Sequence, residues 1–82
     1  MKWHVDAGHA WLKVSAVDYP DVWQYGTGYG YRDGDYAYLE EDVEAPAFLV
    51  AHGDIDPQGI SVVHHLDDAP CRMFDRMPER MQ

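Results

Sequence analysis

A chain of 82 residues supports one hydrophobic core, because at this size only about 60% of the surface exposed by the unfolded chain is buried on folding, so a single domain over 1–82 is expected. With 46% hydrophobic and 13% aromatic residues it is too apolar to stay disordered despite a net charge of −9. Fifteen acids against six bases argue against binding to phosphate backbones or anionic membranes, so neither a nucleic-acid ligand nor a membrane is expected.

The first segment, MKWHVDAGHAWLKVS, has the pattern of a hairpin with Ala7-Gly8 as its two-residue turn and Gly8 supplying a positive φ. This register pairs Asp6 with His9, Val5 with Ala10, His4 with Trp11 and Trp3 with Leu12. Trp3, Val5, Ala10, Leu12 and Val14 then share one face, and His4, Asp6, His9, Trp11 and Lys13 the other. Residues 16–25 break the alternation, and Pro20 opens a short helical turn with Asp18 or Tyr19 near its cap.

A second hairpin follows, with Asp33-Gly34 as its turn and Tyr31 opposite Tyr36, Gly30 opposite Ala37 and Tyr29 opposite Tyr38. All four tyrosines fall on one face, while Gly28, Gly30, Ala37 and Leu39 leave a smooth strip that a helix can approach closely. That helix is VEAPAFLVAH, capped by Asp42, with Glu44 in its first turn, Gly53 at its end, and an apolar stripe of Val43, Ala47, Val50 and Ala51 extended by Phe48. GISVVHHL reads as a later strand, and a short C-terminal helix is expected over 70–77, with Arg72, Arg76 and Arg80 at an i, i+4, i+8 spacing and Pro78 near its end. The fold class is therefore α+β: a small antiparallel sheet of about five strands, formed by two hairpins and a later strand, packed by one main helix.

Catalytic and cofactor motifs are weak. GTGYG lacks the G-x-G-x-x-G spacing between a strand and a helix, and no Walker lysine follows it. Adjacent His64 and His65 point to opposite faces of a strand and cannot share one ion undistorted, although either could meet His4 or His52 across the fold; Cys71 has no zinc-like cysteine partner. Asp54-x-Asp56 lacks the rest of a calcium loop, and Ser15, Ser61 and Cys71 sit in no nucleophile motif. No enzyme, metal or cofactor is expected. A lone cysteine makes no internal disulfide, and the opening residues lack the apolar run of a signal peptide, so a cytoplasmic protein is expected.

The charge is unevenly placed. No Lys or Arg occurs from Asp33 to Cys71, whereas ten acids do: Asp33, Asp35, Glu40, Glu41, Asp42, Glu44, Asp54, Asp56, Asp67 and Asp68. Solubility alone accounts for a charged surface, but carboxylates without neighbouring bases repel one another, and acids two residues apart along a strand stand about 7 Å apart on one face, a spacing able to imitate a row of phosphates. These ten acids, with Tyr36 and Tyr38 as aromatic anchors, form the candidate partner-binding set.

The stretches DAGHAWLKV, at 6–14, and YGYRDGDYAYLEED, at 29–42, resemble an uncharacterised family of short plasmid- and phage-borne proteins in which a DAGHxWL element precedes a GDxAYLEED element. The resemblance covers roughly the first fifty residues and carries no catalytic assignment. It implies the setting of a mobile-element inhibitor of host defence, of the anti-CRISPR or anti-restriction kind, acting in the bacterial cytoplasm. The expected partner is then a host protein or ribonucleoprotein with a basic groove, a CRISPR effector above all, bound by a monomer or homodimer. Two alternatives stand beside it: a general protein-interaction module using the aromatic faces, and a small metal-binding enzyme.

Overall fold

A computed structural model describes residues 1–77. Six strands form one sheet: β1 (Lys2–Val5), β2 (Ala10–Ser15), β3 (Tyr31–Asp33), β4 (Tyr36–Glu40), β5 (Ser61–His64) and β6 (Asp75–Arg76), in the order β5-β1-β2-β4-β3-β6. All pairs are antiparallel except β1 with β5, and one helix, α1 (Glu44–Ala51), packs on the sheet. The class is α+β, with one strand more than expected.

The first hairpin has the anticipated register, Val5 opposite Ala10 through Trp3 opposite Leu12. Its turn is built differently. Gly8 does not adopt a positive φ; the Asp6 carboxylate instead accepts the N–H groups of Gly8 and His9, the Asx chemistry that holds a turn without left-handed backbone. The second hairpin is shifted: Asp33 faces Tyr36, Arg32 faces Ala37 and Tyr31 faces Tyr38, so the turn is Gly34-Asp35 rather than Asp33-Gly34. Gly34 has φ +58° and Asp35 is not left-handed, which matches a turn with Gly in its first central position. Because the shift moves each partner by two residues, every side chain keeps its face.

The shared faces build two clusters. On one, Leu12, Val14, Ala37 and Leu39 meet Val22, Ala45, Phe48 and Met77 in the main core. Val22 comes from a 3-10 turn at Pro20–Tyr25, begun by Pro20 after Tyr19 as its sequence indicates. On the other face Trp11, Tyr31 and Tyr38 are covered by Ala69 and Cys71, with Phe74 against them.

The helix is rotated from the expected orientation. Ala45 and Phe48 are buried, whereas Val43 and Val50 of the anticipated stripe are 57% and 84% exposed and Ala47 and Ala51 are exposed too. Phe48 decides this: Tyr19 and Tyr25 meet its ring edge-on at 5.5 and 5.7 Å and His52 stacks on it at 4.5 Å, an aromatic nest worth more than the smaller valines. Nor does Asp42 cap α1. The Glu40 carboxylate accepts the N–H groups of Asp42, Val43 and Glu44 instead. His52 closes the helix through its N–H to the Phe48 carbonyl, and Gly53 follows without a left-handed turn.

The C-terminal segment is not an α-helix. A 3-10 turn at Pro70–Met73 leads into β6, which pairs with β3, so Arg72 and Arg76 share no helical face; Arg80 and Pro78 lie outside the described residues. β3 offers an open edge there, and two ladder residues satisfy backbone groups that a helical tail would leave bare.

Candidate partner-binding surface

The strand directions distribute the mid-chain acids. Asp33 and Asp35 flank the β3–β4 turn, beside the end of β2, where the Ala16 N–H donates to the Asp35 carbonyl. Asp54 and Asp56 reach the same end of the sheet, lining an open cleft of about 720 Å³ with Lys2, Lys13, Asp18 and Tyr36. Glu40, Glu41 and Asp42 stand at the opposite end of β4, next to the β1–β2 turn, where His9 lies 3.8 Å from Glu41. Asp67 and Asp68 follow β5, which runs parallel to β1, and so emerge at that second end too. The acids thus form two groups, not one contiguous row, because β4 separates them by four residue steps, roughly 14 Å.

Besides Glu40, whose carboxylate caps α1, two members of the candidate set are structural. Glu44 is fully buried: its Oε2 accepts from the Thr27 N–H (2.6 Å) and hydroxyl (2.9 Å), and its Oε1 from the Glu40 N–H (3.0 Å). A Cβ at Gly30 would strike that carboxylate and the Tyr38 carbonyl, so glycine is needed there for the carboxylate to seat. Tyr38 is 5% exposed, tilted against Phe74 with centroids at 5.4 Å, and burial raises its phenol pKa. Both side chains are buried rather than on the surface. Tyr36, by contrast, is 43% exposed under the Lys13 ammonium (4.3 Å to the ring), and Tyr29 is more open still. The tyrosine face therefore splits, with Tyr31 and Tyr38 inside and Tyr29 and Tyr36 at the edge.

Among the described residues no Lys or Arg forms a salt bridge with a mid-chain acid. Lys13 lies over Tyr36, Arg32 over Trp23, Arg72 over Trp11 and Arg76 over Tyr31, each within cation–π range. Arg72 also pairs with Asp6, its Nε 2.7 Å from Oδ2 and its Nη2 3.0 Å from Oδ1, while Oδ2 accepts the Ala69 N–H at 2.9 Å. The Arg72 guanidinium first, and the Ala69 N–H second, hold the Asp6 carboxyl well below the usual carboxylate range. The same hydrogen bond raises the Arg72 pKa. Asp6 is the acid that the pattern of charges did not single out, although an Asp just before Ala-Gly is an Asx-turn signal. Among the described residues, Asp33, Asp35, Asp42, Asp54, Asp56, Asp67 and Asp68 are exposed and enter no salt bridge, and Glu40 spends its carboxylate on the helix start.

The histidines sort as their strand positions require. His64 and His65 face opposite ways, and His65 Nε2 reaches across to His4 Nδ1 at 3.0 Å, with the rings stacked. Burial, then the neighbouring His65, lowers the His4 pKa. His52 Nε2 sits 2.7 Å from the Asp21 carboxylate. Among the described residues no three His, Cys, Asp or Glu side chains converge as a metal set, and no helix is long and apolar enough to cross a membrane.

What these features define is a small α+β domain with acid at both ends of its sheet. Comparison with family models, with curated proteins and with solved structures finds no match.

Proposed function

We propose that this protein acts without catalysis, as a mobile-element inhibitor that occupies the basic nucleic-acid-binding surface of a host defence complex, a CRISPR effector foremost, in the bacterial cytoplasm. The observation that carries the reading is the exposed acid at both ends of the sheet, without a Lys or Arg partner among the described residues, while Lys13, Arg32, Arg72 and Arg76 are drawn onto aromatic rings. Two acidic groups roughly 14 Å apart along β4 approach the spacing of phosphate rows that border a major groove about 12 Å wide, so the two ends together present charge as a duplex does. Tyr36 and Tyr29 supply exposed aromatic area beside those groups.

The test is capture of host proteins from lysate by the full chain, with and without added DNA, beside two variants: Asp33→Asn/Asp35→Asn/Asp54→Asn/Asp56→Asn, and Glu41→Gln/Asp42→Asn/Asp67→Asn/Asp68→Asn. Glu40 is left alone because it caps α1. The reading expects DNA to compete and each variant to lose at least tenfold in affinity. The alternative, a module binding through its aromatic surface, draws on the 68% exposure of Tyr29 and expects the reverse: indifference to DNA and to both variants, with loss on Tyr29→Ala.

A further inference from the structure

We infer that the outer edge of β5 is a second contact, which takes an extended segment of the basic partner as a seventh strand, flanked at both ends by lysine or arginine. The inference rests on the basic-partner reading above and names how that partner is held.

β5 ends the sheet, with β1 on one side and no strand on the other among the described residues. The His65 N–H donates to the Val5 carbonyl at 2.8 Å, which sets the phase of the parallel ladder: residues 61, 63 and 65 turn their backbone groups towards β1, and Val62 and His64 turn theirs outward. Those outward N–H and C=O groups are an open template for another strand. Edges are commonly blunted by lysine, proline or inward charge, and β5, Ser61-Val62-Val63-His64, contains no Lys, Arg, Pro, Asp or Glu; Val62 is 48% exposed and the following Leu66 is fully exposed.

Charge chooses the occupant. Residues 57–66 contain no Asp, Glu, Lys or Arg, in a chain of net charge −9, and the run is bracketed by exposed Asp54 and Asp56 before it and Asp67 and Asp68 after it. A second copy pairing antiparallel along β5 would set the Asp54/Asp56 end of one copy against the Asp67/Asp68 end of the other, and like charges facing each other across a ladder are destabilising. A guest strand with a neutral β-branched centre and cationic ends meets hydrogen-bonding groups in the middle and carboxylates at both flanks. Main-chain bonds then supply affinity and the flanking charges supply selectivity.

The experiment uses the full-length protein, isotopically labelled, and a synthetic ten-residue peptide with two lysines at each end and alternating threonine and valine between them. A second peptide carries N-methyl groups on two central amides, and a protein variant carries Val62→Pro, which removes an outward N–H and leaves the β1 ladder intact. We expect the Val62 and His64 amides to shift and gain exchange protection with the first peptide, and both N-methylation and Val62→Pro to weaken binding at least tenfold. Equal binding of the N-methylated peptide, shifts confined to other residues, or no binding overturns the inference. DNA-sensitive capture of host protein that Val62→Pro leaves unchanged also overturns it while sparing the proposed function. Strand addition at β5 combined with capture indifferent to DNA and to the acid variants does the opposite.

Discussion

Asp6 shows how much one carboxylate does in so small a fold. It closes the β1–β2 turn and, through Arg72 and the Ala69 N–H, pins the C-terminal segment over Trp11. Its folded pKa lies below its ordinary value of 3.8, so its stabilisation is present above that pH and is lost as pH falls below it. His4 is also depressed, below 6.5, so the unfolded chain takes up a proton there before the folded one does, and stability declines as pH drops from about 6.5. Urea unfolding should therefore give less stability at pH 5.5 than at 7.5 and a further loss below about pH 4. His4→Phe should flatten the first limb and Asp6→Asn the second; parallel limbs in the variants would contradict the assignment. Cys71 is 2% exposed, and burial, with Asp6 nearby, pushes its thiol up to about 11. A thiol reagent at pH 8 should leave the native protein unlabelled and modify one cysteine per chain after denaturation.

At the scale of elements, the rotation of α1 makes a sharp contrast available. Phe48→Ala should cost about 3–5 kcal/mol, a Tm loss on the order of 12 °C or more, because it empties the centre of the main core. Val50→Ala, on the exposed side, should stay within about 0.5 kcal/mol. The apolar stripe inferred from spacing predicts a substantial loss for Val50, so thermal denaturation of the two variants separates the orientations. The misreading has a clear cause: over eight residues the helix is apolar on more than one side, and periodicity cannot say which side faces the sheet when Phe48 alone outweighs two valines. The hairpins were more legible. Alternation over β1 and β2 fixed both face and register, whereas Asp33-Gly34-Asp35 admits Gly34 at either central position, which let the second turn slip by one residue without changing any face.

For the whole molecule, 34 × 27 × 22 Å in extent, the acidic ends govern long-range behaviour. On the proposed reading this length, about one turn of duplex, bounds the basic surface to be covered. Rim charges steer encounter more than they hold the complex, so raising salt from 0.1 to 1 M, where the screening length falls from about 10 to 3 Å, should weaken capture mainly through the association rate. Surface plasmon resonance against the captured partner checks this; a salt-independent association rate would favour the aromatic module.

Composition, alternation and turn chemistry were enough for the α+β class, the first hairpin, the two sheet faces and the concentration of acid in mid-chain, because each is a local consequence of side-chain period or residue type. Tertiary structure alone decided which acids are exposed. Glu44 is inside because Gly30, 14 residues earlier, leaves room for its carboxylate and Thr27 and Glu40, 17 and 4 residues earlier, donate to it. The split of the remaining acids between two ends follows from strand direction, which no spacing along the chain encodes. The placing of β5 at the end of the sheet, with no strand beyond it among the described residues, likewise follows only from its parallel pairing with β1.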